Sequence, residues 1–153
     1  MICAILNFGT QVDKRCVLIF SGQRRLARNV LREQMNQCIR NDKSVMHSMD
    51  LIQENCAVMR FYLLKENIDE FANCLSRHFE LLKSLDDGAT NAFIDYIFDV
   101  CDDLIAGKSI CGAGGGGFLQ VVLKKGISKE DIRRRVADCF GDCGVEVWDC
   151  ELC

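Results

Sequence analysis

Apolar residues recur along this chain with a period that changes from segment to segment. Residues 15–20, Arg-Cys-Val-Leu-Ile-Phe, form a short apolar run ended by Ser21-Gly22, which predicts a buried strand and a turn. Leu26, Val30, Leu31, Met35, Cys38 and Ile39 then follow at helical spacing. A second helix is predicted over about 44–65, where Val45, Met49, Ile52, Cys56, Met59 and Leu63 alternate steps of four and three. Asn67 with Glu70 reads as a capping pair for a third helix, which carries Phe71, Cys74, Leu75, His78, Leu82 and Leu85 and closes at Asp86-Asp87-Gly88. Phe93, Ile97, Val100, Cys101 and Leu104 predict a fourth helix over about 91–106, with Gly107 as its stop.

The pattern then turns to β. Ser109-Ile110-Cys111 leads into a glycine run, and Phe118-Leu-Gln-Val-Val-Leu-Lys124 follows as a β-prone segment. Ser128 and Asp131 cap a short helix to about 140, and residues 145–148 alternate as a last strand. Strand, helices, two strands around a glycine loop, helix, strand: this order predicts an α+β domain with a small, mainly antiparallel sheet packed with helices.

Composition narrows the class. At 153 residues, 49% hydrophobic and 27% charged, the chain suits one domain spanning 1–153. A net charge of −3 argues against a general nucleic-acid binder. No apolar run approaches the ~20 residues that cross a bilayer, and the opening Met-Ile-Cys-Ala-Ile-Leu is too short for a signal-peptide core. The expectation is a cytoplasmic protein without membrane contact. Eleven cysteines are an odd count with no secretion signal, so they read as reduced thiols, with Cys38, Cys56, Cys74 and Cys101 at apolar helix positions.

Five glycines within positions 112–117 are the most informative feature. Glycine loses the most backbone entropy on folding, so such a run implies positive φ or an approach closer than a Cβ permits. Successive unhindered N–H groups can also cradle an anion. Gly112-Ala113-Gly114-Gly115-Gly116-Gly117 spells G-x-G-x-x-G, but a dinucleotide fold needs a helix next, and here a β-branched strand follows. A Walker A loop needs Gly-Lys-Ser/Thr, and here Phe118-Leu119 stands there. A glycine-rich loop between two strands remains. It either approaches a phosphate or is a tight turn with no ligand.

The stretch Ile110-Cys-Gly-Ala-Gly-Gly-Gly-Gly-Phe-Leu119 resembles the third motif of the GHMP kinase superfamily. Phe20-Ser-Gly-Gln-Arg-Arg-Leu-Ala-Arg-Asn29 resembles the tyrosine-threonine-glycine stretch of L-fucokinases and, less closely, of heptose-7-phosphate kinases. The resemblance implies a GHMP kinase C-terminal domain, a ferredoxin-like variant. It implies ATP-dependent transfer of a phosphoryl group to a sugar, giving a sugar 1-phosphate, with ATP and Mg²⁺ serving the complete enzyme. The loop from Gly112 to Gly117 would lie beside the transferred group, and Ser21, Gly22 and Arg25 would wall the sugar pocket. The phosphate-binding loop, the catalytic aspartate and the Mg²⁺ ligand belong to an N-terminal ATP-binding half that this sequence does not contain. The chain is thus expected to carry no catalytic residue and no metal ligand, to need that half from the same or another chain, to hold no cofactor alone, and to be inactive alone. A half-kinase would also expose the face that meets its partner, and such an apolar patch could support a homodimer.

Other features have plainer readings. Arg24, Arg28 and Arg32 stripe a helix face that could greet a phosphate near the helix start or be solvated charge; Arg28 and Arg32 read as solvated charge, whereas Arg25 reads either as a phosphate or sugar neighbour or as part of that face. Asp95, Asp99 and Asp102, and Arg133 to Arg135, read as solvated faces, and His78 as a buried, hydrogen-bonded histidine. Cys139, Cys143, Cys150 and Cys153 could hold a tetrahedral zinc, which leaves a small zinc-binding protein as one alternative and a non-catalytic interaction module of the same fold as another.

Overall fold

Val, Ile, Leu and Phe concentrate in β1 (Cys16–Phe20) and β3 (Phe118–Leu123), and these become the two central strands of a four-stranded sheet of order β2-β3-β1-β4. The computed structural model describes residues 11–24, 36, 42–112 and 114–150. A short helix, α1 (Gln11–Arg15), leads into β1. Then come α2 (Lys43–Leu64), α3 (Ile68–Leu85), a 3₁₀ turn over Asp87–Ala89, and α4 (Ala92–Cys101). The edge strand β2 (Ile105–Ile110) precedes β3, and α5 (Lys129–Phe140) precedes the other edge strand, β4 (Glu146–Asp149). Every neighbouring pair is antiparallel. Two split β-α-β units therefore interlock, as in ferredoxin-like folds, and the expected α+β class with a small antiparallel sheet is what forms.

Residues paired across strands share a face of the sheet. Val17, Ile19, Leu119, Val121 and Leu123 bury one face completely, packed with Ile94, Ile97 and Phe98 of α4 and Ile132, Val136 and Phe140 of α5. On the other face Cys16 and Val122 join Val12 and the α3 residues Ile68, Phe71, Ala72 and Leu75. Helix caps match the sequence signals. Asn67 accepts from the Glu70 amide, and Ser128 and Asp131 form a reciprocal capping box.

Three expectations need correction. The fourth helix stops at Cys101, and residues 105–110 are strand β2, with Gly107 inside it. That glycine is there for contact: a Cβ would collide with the Ala72 carbonyl, because β2 crosses the α3 backbone at van der Waals distance. In α2 it is Asn55 that turns inward, donating Nδ2 to the Cys74 carbonyl at 2.9 Å, whereas Cys56 is exposed. His78 is half-buried, but its Nδ1 has no hydrogen-bond partner among the described residues, and burial holds its pKa below the ordinary value. The helix read over 26–39 lies outside the described residues apart from Asn36, which is helical.

Candidate functional site

The glycine run joins β2 to β3 as a hairpin loop, closed by the Cys111 amide donating to the Phe118 carbonyl at 2.9 Å. Gly112, Gly114, Gly115 and Gly117 have φ between 70° and 79° and Gly116 has φ 157°, a backbone that side chains resist. The Gly115 amide donates to the Ala89 carbonyl at 2.8 Å, and Asn91 Nδ2 donates to the Gly115 carbonyl at 3.3 Å. The Gly117 amide donates to the Gln23 carbonyl at 2.8 Å, and the Ser21 amide donates to the Gly117 carbonyl at 2.9 Å. The loop is therefore gripped at two residues, by the turn before α4 on one side and by the segment after β1 on the other. Those two amides serve the fold and are not open to an anion.

The glycines divide by what a side chain would meet. At Gly114 a Cβ would collide with the Ala89 carbonyl and the Ile110 side chain, and at Gly116 it would stand 3.1 Å from the Gln23 carbonyl. At Gly112 and Gly117 it would meet nothing within 4 Å among the described residues. Half of the loop is bare because the protein packs on it. Among the described residues the other half has nothing packed where a side chain would stand, and that is the part a ligand could approach.

Two segments far apart in sequence meet here. Ser21 is fully buried, and its Oγ accepts from the Gln23 amide at 3.3 Å. Gly22 is exposed with φ 73°, and a Cβ there would stand 3.0 Å from the Gly144 carbonyl. Asn91 ties the segments together. Its Oδ1 caps α4 by accepting from the Phe93 and Ile94 amides at 3.0 Å, while Nδ2 donates to Gln23 Oε1 at 3.1 Å as well as to Gly115. Arg25 and Ala113, also read as site residues, lie outside the described residues. Sequence reasoning passed over Gln23, Ala89 and Asn91. Only Asn91 carried a signal, an N-cap residue one position before a periodic apolar run.

The remaining candidates have structural partners. Arg135 grips Asp103 with two bonds of 2.7 and 2.9 Å, and this holds the Asp103 carboxyl below the usual carboxylate range. Arg133 and Lys129 do the same for Asp149. Asp95 accepts from Thr90 Oγ1 at 2.6 Å, and Asp102 faces Lys108 at 3.8 Å. Burial pushes the thiols of Cys16 and Cys101 up to about 12 and about 11, so both stay protonated. Cys139 and Cys143 are exposed and free, Cys150 is part-buried, and Cys153 lies outside the described residues. Among the described residues no three metal-ligating groups stand together, at the loop or elsewhere. Nor is any of the described helices long and apolar enough to cross a membrane.

The fold is shared with parts of solved small-molecule kinases. It superposes on Leishmania major mevalonate kinase, solved in complex with R-mevalonate, with a TM-score of 0.74 at 12% identity over 92% of this chain and 44% of that one. On Lactococcus lactis galactokinase, solved with galactose, the TM-score is 0.62 at 12% identity over 90% of this chain and 45% of that one. In sequence the chain resembles fucokinases. It is 26% identical over 144 residues, 94% of its length, to the bifunctional fucokinase/GDP-fucose pyrophosphorylase of Arabidopsis thaliana, and 26% identical over 108 residues to the L-fucokinase/L-fucose-1-P guanylyltransferase of Bacteroides fragilis. It spans only 14% and 11% of those two proteins. No family model matches it.

Proposed function

We propose that this chain acts as the C-terminal domain of an ATP-dependent sugar kinase of the fucokinase kind. The observation that carries this reading is the meeting of Ser21–Gln23 with the clamped glycine loop at one end of the sheet, in a chain similar to fucokinases over 94% of its length.

In this reading the loop presents Gly112 and Gly117 to the phosphoryl group in transit, because a side chain there would take the space the oxygens need. Ser21, Gly22 and Arg25 form part of the sugar wall. ATP with Mg²⁺ supplies the γ-phosphoryl, and the sugar's anomeric hydroxyl accepts it. The described residues fit half of that task. The open glycines suit close approach of a phosphate, and the resemblance to sugar kinases assigns the metal and the catalytic base to the other kinase half, in the same chain or another. What this chain contributes is position, and phosphoryl transfer depends chiefly on positioning and charge stabilisation.

The test is turnover. The chain alone, given ATP, Mg²⁺ and L-fucose, forms no sugar phosphate; joined to a kinase N-terminal half it does. Turnover by the chain alone would overturn the division of labour, and a folded, joined protein without turnover would overturn the kinase reading.

A further inference from the structure

One face of the sheet packs on α4 and α5; the opposite face packs on α1 and α3 around Cys16 and Val122, and at its other end, beside the candidate site, it carries a cluster of aromatic side chains that has no role so far. Phe20 pairs with Phe118 on one side and with Glu146 on the other, so these three stand in one row across β3, β1 and β4. Gln120, Leu18 and Trp148 form the next row. The rings touch in series: Phe20 to Phe118 at 5.2 Å, then Phe118 to Trp148 edge-on at 5.4 Å. Trp148 nevertheless stays 50% exposed. Its Nε1 donates to Glu146 Oε2 at 3.0 Å, which fixes an exposed carboxylate against the indole. Phe118 follows Gly117 directly and Phe20 precedes Ser21, so the cluster borders both segments of the candidate site. The loop before β4 also abuts Gly22 through Gly144.

A hydroxylated pyranose presents C–H groups on one side and hydroxyls around its rim. The negative face of an indole attracts the former, and a carboxylate accepts hydrogen bonds from the latter. A protein partner would gain little from an acidic side chain set beside these rings, since acidic residues are depleted at interface centres. We propose that Trp148 and Glu146 form a sugar-binding wall, on which a 6-deoxypyranose such as L-fucose rests its methyl-bearing face against the indole and hydrogen-bonds Glu146 through its hydroxyls. This inference rests on the sugar-kinase reading of the site. It adds two residues, on the last strand, that set which sugar is taken.

Trp148 is the one tryptophan in the sequence, so emission excited at the red edge of the indole band, where the two tyrosines do not absorb, reports this wall alone. L-Fucose should change that emission saturably. D-Arabinose, which keeps the ring hydroxyl pattern but lacks the methyl group, should bind roughly tenfold more weakly. Glu146→Ala should weaken L-fucose by roughly tenfold or more without shifting the melting temperature, because Glu146 is exposed. Emission that does not respond to L-fucose at any attainable concentration overturns the inference. So does L-fucose binding, followed by saturation-transfer NMR, that Trp148→Phe and Glu146→Ala leave unchanged. In both cases phosphoryl transfer by the joined protein would leave the kinase reading standing. A saturable Trp148 response in a protein that transfers no phosphoryl group would instead keep the sugar wall and remove the kinase reading.

Discussion

Single glycines in this loop answer two different demands, and substitution separates them. Gly114→Ala places a methyl group against the Ala89 carbonyl at φ 74°. Neither backbone can yield without breaking the Gly115 bond to the same carbonyl. A loss of about 2–4 kcal/mol in urea unfolding is expected, the range for strain combined with overpacking. Gly112→Ala has the same φ but open space around the new Cβ, so only the left-handed backbone is taxed, by about 1–2 kcal/mol. Equal losses at the two positions would show that the packing against Ala89 does not hold in solution.

Among the elements, the turn before α4 is where the domain ties together the two segments of the candidate site, and Asn91 is the residue that does it. Asn91→Asp keeps an oxygen for the α4 cap but loses the donor to Gln23 and Gly115. The helix should stay, while the Gly115 and Gly117 amides should exchange faster with solvent. Asn91→Ala should add the loss of the cap, about 1 kcal/mol. Unchanged exchange in Asn91→Asp would remove Asn91 from the clamp. The same region shows how far the sequence could be read. The caps at Asn67 and Ser128, the strand before Ser21 and the hairpin around the glycines were legible, because local chemistry decides them. The end of α4 was not. Leu104 and Ile105 continue the helical spacing of Val100 and Cys101, and Ile-Ala-Gly-Lys-Ser-Ile has little β-propensity, so only pairing with β3 and contact with α3 make it a strand. The site was legible in half. Glycines and Ser21-Gly22 carry a pattern, whereas Gln23 and Ala89 act through backbone carbonyls that any residue could supply.

At the scale of the whole molecule, the proposed function makes the domain one wall of a cleft whose other wall is a kinase N-terminal half. Its buried face holds the sheet on α4 and α5, the Arg135–Asp103 pair ties α5 to the turn after α4, and the candidate-site features gather at the end where β1 finishes, β3 begins and α4 starts. In the proposed function Gly112 is bare for the sake of a phosphoryl group that comes from outside this chain. The direct test is L-fucose phosphorylation by the chain joined to a kinase N-terminal half, compared with the same protein carrying Gly112→Ala. The account predicts turnover that falls by roughly 100-fold, the scale of losing one preorganised contact to the transferring group, while the melting transition stays cooperative. Full turnover in folded Gly112→Ala would contradict it.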